Sequence, residues 1–583
     1  MNPPRLAPTP AIVPESAVRR LPRVALWLFC LAYVLPGVIG REPWKGDEIT
    51  ALGQMLALAQ GHSAWLQPTL WGQAPDLDAL LPYWLGAWAI QLKPVWLSAV
   101  MAVRVPFLLL SALTLAATWY GCYYLALSPQ AQPVAFAFGG EARPKDYART
   151  IADAALLAMI ATLGLSLLSH QIGVVLMQLA CVSLAFYGVA ALPYHPRYSF
   201  SALVLGLIGL TLSGAPSFAV LMAMGSGLLC LMDNQSTDAP TARLHAFALL
   251  CMGLLVALIA THLDVWQWRL QALPQRWVEW RSLIRLLIWF TWPVWPLAAW
   301  TVWRWRRHWW SIRWSRHLIL PLWFALLVGG TALATPSPER TLLLALPALA
   351  CLAAFALPTL RRSVTAFIDW FTLIFFTGCA LVIWVIWLAM QTGWPPQPAA
   401  NVARLAPGFV PHMNAWALAA ALLATLAWAA LLQWRVGRHR HPLWKSLVLP
   451  AGGAALCWLL LMTLWLPLLD YARSYAPWVH QVQHIMRSQA SPCVLTYGLN
   501  LGQMSAFNYH GSFTVYPLKE PQRMSAVEHP VAAQASCQWL LVDDDLRPGL
   551  AHVVDLTQWE RVRTVRRPSD NDEDITIYRR RQP

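Results

Sequence analysis

Two adjacent carboxylates, Asp47 and Glu48, are the residues of this chain whose types and spacing are best suited to chemistry. They follow the apolar stretch 24–40, which has no charged residue, and they end the charged segment 41–48. Only 12% of all residues are charged, so such a cluster is unusual. A carboxylate here can accept a proton as a general base, and a nearby cation such as Lys45 can offset negative charge that develops in a reaction.

We expect Asp47 to be the base, and Glu48 either to share that work or to hold Asp47 in place. A solvated loop carboxylate is the alternative for both residues. No histidine, cysteine or carboxylate grouping has the spacing of a strong metal site. We therefore expect no cofactor, although the sequence leaves a divalent metal open.

Long apolar stretches must position these residues. The chain has 583 residues, 58% of them hydrophobic, and a mean hydropathy of +0.47, and its apolar runs are repeatedly long enough to cross a hydrocarbon core of about 30 Å. This predicts a mainly α, polytopic membrane protein with about 13 transmembrane helices within residues 24–469. The net charge of +15 lies mostly in short segments between spans, so it indicates topology and not a nucleic-acid partner.

The distribution of arginines predicts the orientation. The tail 1–23 carries four of them and is expected to be cytoplasmic, with the first span retained as an anchor. Loop 41–98 is then external. Counting the spans in turn also places the tail 470–583 outside, so the acidic pair and the tail share the outer face.

Four further external residues are candidates for substrate binding. Asp76 and Asp78 can position hydroxyl groups or an ion, although turn chemistry beside Pro75 is the simpler explanation. Arg269 lies in segment 264–285, which we interpret as a helix in the membrane interface, where it can meet a lipid phosphate or anionic headgroups generally. Arg340, in a short outer loop, is either a cation that binds a substrate or an interface anchor.

The external tail reads as a small α/β domain. Residues 493–497 and 539–542 have the pattern of buried strands, and 472–488 that of a helix. Cys493 and Cys537 both begin strand-like segments. Either they form a disulfide in an oxidising compartment, or they are two independent buried thiols.

Several segments spread over nearly the whole chain resemble the protein mannosyltransferase superfamily, whose bacterial branch includes the lipid A aminoarabinose transferases. The acidic pair and the helix after it look like the first-loop motif of that family, and Tyr83 lies in a second resembling motif. The resembling segments are 44–48, 51–56, 81–86, 104–106, 292–296, 339–347 and 466–474.

The resemblance implies a GT-C fold and an inverting transfer of a sugar from a polyprenyl-phosphate donor to a glycan, lipid or protein acceptor. It places Asp47 in the catalytic centre. For such a transfer we expect Lys45 and Arg340 to be the cations nearest the donor phosphate, and Tyr83 to be a substrate-binding residue. It also implies a bacterial inner membrane protein, in contact with membrane lipids, whose active site and C-terminal domain are periplasmic.

The main alternative is a transporter or flippase that moves lipid-linked sugars without chemistry. Such proteins place ionisable residues near the middle of the membrane. Asp153 and Asp369 are the nearest candidates, and both lie close to the predicted inner ends of their spans. The concentration of charge on the outer face favours the transferase.

Overall fold

The chain folds into two compact units, each built from several separate segments. The first unit comprises 1–38, 105–382 and 419–463, and the second comprises 39–104, 383–418 and 464–583. The computed structural model describes residues 9–75, 79–232, 239–266, 272–306, 315–436, 443–486, 493–518, 537–570 and 573–581.

The described residues are mainly helical, as the long apolar runs predict. In chain order the helices are α1 (Arg23–Val34), α2 (Asp47–Ala59), α3 (Leu81–Leu92), α4 (Ala99–Ala126), α5 (Pro144–Ala161), α6 (Leu165–Leu168), α7 (Val174–Ala191), α8 (Pro196–Leu212), α9 (Pro216–Met232), α10 (Ala239–His262), α11 (Trp277–Phe290), α12 (Val294–Arg304), α13 (Arg316–Ala332), α14 (Pro338–Leu343), α15 (Leu346–Ala354), α16 (Arg362–Thr392), α17 (Pro396–Leu405), α18 (Ala415–Val436), α19 (Lys445–Leu464), α20 (Leu466–Arg473), α21 (Ala476–Met486) and α22 (Leu501–Gly511).

Six of the helices within the described ranges, α4, α7, α10, α16, α18 and α19, are long and apolar enough to cross a membrane. The pair α11 and α12, bent by 90° at its break, would make a seventh span. Five more apolar helices are shorter than 18 residues. The expected number of about 13 spans therefore stays a prediction, whereas several membrane-crossing helices are present.

Two predicted boundaries are corrected. The first span, expected to reach Gly40, ends as a helix at Val34, because Gly37 takes a positive φ of 83°. The interfacial helix expected from residue 264 begins only at Trp277, where Glu279 accepts the backbone N–H of Gln275 at 3.1 Å. Arg269 lies outside the described residues.

A five-stranded sheet forms the centre of the tail within the second unit. Its strands are β1 (Cys493–Tyr497), β2 (Thr514–Pro517), β3 (Trp539–Asp543), β4 (Trp559–Arg566) and β5 (Asp574–Arg580), in the spatial order β2-β1-β3-β5-β4. The strand β1 is parallel to β2 and β3, whereas β5 is antiparallel to β3 and β4. Both strands expected from the sequence are confirmed, and both are almost wholly buried.

Cys493 and Cys537 form a disulfide in this structure, with their Cα atoms 5.3 Å apart. The parallel pairing of β1 and β3 brings the two cysteines together. Both are buried in the apolar cluster that includes Leu495 and Leu540.

The helix expected over 472–488 is interrupted. Ser474 adopts an extended backbone, so α20 ends at Arg473, and the Ser474 hydroxyl then accepts the N–H of Ala476 at the start of α21. Residues 487–492 lie outside the described ranges. At this break, the backbone of Ser474 pairs with that of Trp44 in the first loop.

Candidate active site

The acidic pair forms the first turn of α2. This helix begins at Asp47 because Gly46 takes a φ of +90°, a backbone conformation that side chains disfavour. Carboxylates are stabilised at this end of a helix by its partial positive charge. The helix is also held closely against α22, since a Cβ built on Gly53 would lie 2.5 Å from the Ser505 Oγ.

Glu48 is enclosed, with 1% of its surface exposed. Its Oε1 lies 2.5 Å from Arg41 Nη2 and 3.8 Å from Arg104 Nη2, while its Oε2 accepts the backbone N–H of Trp44 at 3.1 Å. Arg41 and Arg104 are themselves buried. These contacts favour the second of the two roles that the sequence left open, in which Glu48 holds the loop in place.

Asp47 has the opposite environment, because its side chain is exposed. Successive side chains of a helix point about 100° apart, so one carboxylate of the pair enters the interior while the other stays at the surface. Of the two, only Asp47 is reachable by a substrate that comes from solvent or from the membrane surface.

Lys45 contacts the tail within the second unit. Its Nζ lies 2.6 Å from Asp570 Oδ2 and 3.8 Å from Glu573 Oε2, and 40% of its side chain is exposed. Its backbone N–H donates to the Arg473 carbonyl at 2.8 Å. The proposed cation beside Asp47 is thus held by carboxylates more than 500 residues away in sequence.

Trp44 joins the first loop to the segment around Arg473. Its indole Nε1 donates to Asp470 Oδ1 at 2.8 Å, and its backbone forms an isolated antiparallel bridge with Ser474. The Arg41 and Arg473 guanidinium carbons lie 4.7 and 5.1 Å from the ring centre, a cation–π arrangement. The ring is 2% exposed, so these contacts are shielded from water.

Asp470 titrates in the neutral range. Burial, as the largest cause, raises its pKa to about 7, against the opposing effects of the Trp44 hydrogen bond and of the Arg41 charge. The nearby Glu42 carboxylate raises this pKa further. Near neutral pH, a small change in proton concentration therefore alters the charge beside Trp44.

Glu42 also approaches the tail. Its Oε2 lies 4.0 Å from Nδ1 of His510 on α22. Burial and the neighbouring His480 lower the pKa of His510 to about 4, so this imidazole is neutral at physiological pH. Among the described residues no group of three or more histidine, cysteine, aspartate or glutamate side chains is arranged to hold a metal ion.

The structure places the other predicted site residues as follows. Tyr83 is buried on α3, which packs against α2. Arg340 is the third residue of α14, which belongs to the first unit, and its side chain is half-buried. Asp76 and Asp78 lie outside the described residues, as Arg269 does.

Sequence reasoning missed the partners of segment 41–48. Arg104 and Asp470 each lie in one of the resembling segments, so a closer reading of those motifs would have singled them out. Asp570 and Glu573 carry no sequence signal, because only the folding of the tail brings them beside Lys45.

Two solved structures share this architecture. They are ArnT from Cupriavidus metallidurans in the apo state, with a TM-score of 0.58 at 14% identity, and the same protein bound to undecaprenyl phosphate, with a TM-score of 0.56 at 15% identity. In each case the likeness covers 95% of this chain and 96% of the other. The fold is ArnT-like. No family model matches the chain, and no curated protein matches it by sequence.

The ArnT-like fold confirms the predicted fold class, a mainly helical, multi-pass membrane protein with a small C-terminal sheet domain. It also agrees with the family resemblance found in the sequence. An identity of 14–15% establishes the fold alone, so the chemistry has to be argued from the residues of this chain.

Proposed function

We propose that this membrane protein is a glycosyltransferase that moves a sugar from a polyprenyl-phosphate donor to a cell-envelope acceptor on the periplasmic face of a bacterial inner membrane. The observation that carries the proposal is the exposed Asp47 carboxylate at the start of α2, in a loop held by a buried ion pair. The ArnT-like fold supports it, and one ArnT structure contains undecaprenyl phosphate, a lipid of the proposed donor class.

The proposed reaction is a single displacement. An acceptor hydroxyl oxygen attacks the anomeric carbon, the bond from that carbon to the phosphate oxygen breaks, and the configuration inverts. Asp47 takes the hydroxyl proton, and the polyprenyl phosphate leaves with the bonding electron pair. Phosphate is already a tolerable leaving group, so the protein has chiefly to supply a base and cations.

Lys45 is the proposed cation for the donor phosphate, and Arg340 of the first unit remains a separate proposed substrate contact. Lys45 is an ion-pair partner of Asp570 at 2.6 Å, so an incoming phosphate would compete with that carboxylate for the ammonium group. Replacing Asp570 by Asn should therefore strengthen donor binding, whereas replacing Lys45 by Ala should weaken it. Tyr83, Asp76, Asp78 and Arg269 remain proposed substrate contacts.

The alternative transporter function gains no support from the carboxylates that suggested it. Asp153 accepts the indole N–H of Trp119 at 2.9 Å, and Asp369 forms an ion pair with Arg435 within the first unit. Both carboxylates thus have side-chain partners on neighbouring helices.

The test is reconstitution of the protein in liposomes with a labelled lipid-linked sugar extract and a cell-envelope acceptor extract, comparing wild type with Asp47→Asn. We expect transfer by the wild type and a loss of at least about 100-fold in the variant, the lower end of the range for general-base catalysis. Equal transfer by both would refute the role of Asp47. Movement of labelled lipid across the bilayer with no transfer by either protein would favour the transporter.

A further inference from the structure

We propose that Trp44 and Asp470 are positioning residues, whose contact holds the first loop, and hence the Asp47 carboxylate, in the geometry that transfer requires. The inference rests on the proposed function. Neither residue needs to touch the substrate, because each acts through the backbone that leads into α2.

The backbone of Trp44 sets the start of α2. Its carbonyl accepts the N–H of Ile49 at 3.2 Å, and its N–H donates to Glu48 Oε2. Only Lys45 and Gly46 separate it from Asp47, and Gly46 needs its positive φ to make the turn. A displacement of Trp44 is therefore passed directly to the first turn of the helix.

The Trp44 side chain is fixed from the segment that begins the tail. Asp470 accepts its indole N–H at 2.8 Å, Arg473 lies beside its ring, and Ser474 pairs with its backbone. Trp44 thus forms side-chain and backbone contacts with one turn of α20 and the residue after it. A misplacement of about 1 Å at a reacting group can cost about 100-fold in rate.

The charges around Asp470 make this contact depend on pH. Glu42 and Arg41 face it from the first loop, and Arg104 faces it from α4. Because its pKa is about 7, Asp470 changes charge in the neutral range, and a hydrogen bond to an ionised acceptor is roughly twice as strong as one to a neutral acceptor. The hydrogen bond from Trp44 to Asp470 therefore strengthens as Asp470 ionises, although ionisation of this buried carboxyl group destabilises the folded state as a whole.

Two variants and one matched control test the proposal in the reconstituted transfer assay, with the same labelled lipid-linked sugar extract. Trp44→Phe keeps a ring between the two arginines but removes the indole donor. Asp470→Asn keeps an acceptor oxygen but removes the titration. The control, Trp478→Phe, removes another buried indole hydrogen bond of the second unit, the one to the Val565 carbonyl at 3.2 Å, which does not involve the first loop.

For Trp44→Phe we expect the maximal rate to fall at least tenfold, because the base is misplaced. The extract concentration that gives half-maximal rate should change by a smaller factor, because the ammonium group of Lys45 is also held by Asp570. For Asp470→Asn we expect the rise in wild-type activity between about pH 6 and 8 to disappear. The Trp478→Phe control should keep wild-type activity and pH dependence per folded molecule.

Three results would overturn the proposal. These are wild-type rates in Trp44→Phe, an unchanged pH profile in Asp470→Asn, or an equal loss of rate in the Trp478→Phe control. Asp47→Asn is measured beside them. Loss of transfer in that variant alone would keep the proposed base and refute the positioning residues. Full activity in it would refute Asp47 as the base, and no transfer by the wild type would refute the proposed function.

Discussion

Glu48→Gln is the variant that best separates the two members of the acidic pair. In the structure Glu48 is a buried carboxylate beside two buried guanidinium groups, those of Arg41 and Arg104. Glutamine keeps the size and one acceptor oxygen but removes the negative charge. Both arginines then stay buried without that counter-charge, which typically costs about 3–5 kcal/mol.

The adjacent change has the opposite expectation. Asp47→Asn alters an exposed side chain and removes its favourable interaction with the start of the helix, so it should cost no more than about 1 kcal/mol in the free energy of unfolding. Glu48→Gln should thus destabilise the protein by several kcal/mol more than Asp47→Asn does. Asp47→Asn should have the larger direct effect on catalysis.

Native-state proteolysis in detergent measures this difference, since cleavage follows the population of the opened form when opening and closing are fast. A cost of 3–5 kcal/mol raises that population by roughly 10²- to 10³-fold or more, at about 1.4 kcal/mol per factor of ten. Transfer activity is measured on the protease-resistant fraction. If Glu48→Gln is as resistant to proteolysis as wild type and yet inactive, Glu48 is a catalytic group and does not merely hold the loop in place.

Three further changes test other parts of the reasoning. Gly46→Ala should destabilise the start of α2 by about 1–2 kcal/mol and lower transfer, because alanine disfavours a φ of +90°. The control Gly139→Ala, at a positive φ of 75° in the first unit, should affect stability alone. Equal transfer activities of the two variants would contradict this prediction. Replacing Cys493 and Cys537 by serine opens a loop of 44 residues and should lower the free energy of unfolding by about 4 kcal/mol, as measured by denaturant titration. If both wild-type thiols react freely with an alkylating agent under native oxidising conditions, the disulfide is excluded. The folded-state pKa of Asp470, about 7, exceeds the unfolded value of about 4, so the native state binds more protons than the unfolded state between these pH values. The free energy of unfolding should therefore fall as the pH rises from about 4 to 7. Asp470→Asn should remove this part of the pH dependence, as measured by thermal unfolding at several pH values.

The features that local patterns determine were predictable from the sequence. The strands at 493–497 and 539–543 follow from short apolar runs between polar turns, and α4 follows from a long apolar run whose one charged residue is Arg104. The boundaries that failed depend on single residues: the positive φ of Gly37 ends α1, and the extended backbone of Ser474 divides a predicted helix into two.

The environment of each carboxylate was not predictable, because it depends on contacts between distant segments. Nothing near Glu48 in sequence indicates that Arg104 will lie 3.8 Å from it, and nothing near Lys45 indicates Asp570. The sequence allows two roles for Glu48, to share the work of the base or to hold Asp47 in place. Choosing between these roles requires knowing that its side chain is buried.

The buried group formed by Glu48, Arg41 and Arg104 is better explained by geometry than by stability. Desolvation of buried charges cancels much of their attraction, so an apolar set of similar volume often stabilises a fold as well or better. An apolar set, however, would not give Trp44 an acceptor for its N–H, and it would let the loop pack in several ways. We therefore expect the triple replacement Arg41→Met, Glu48→Leu, Arg104→Met to fold with near-wild-type stability but to transfer sugar at least tenfold more slowly. Wild-type transfer by that variant would show that the loop needs no buried charges to place Asp47.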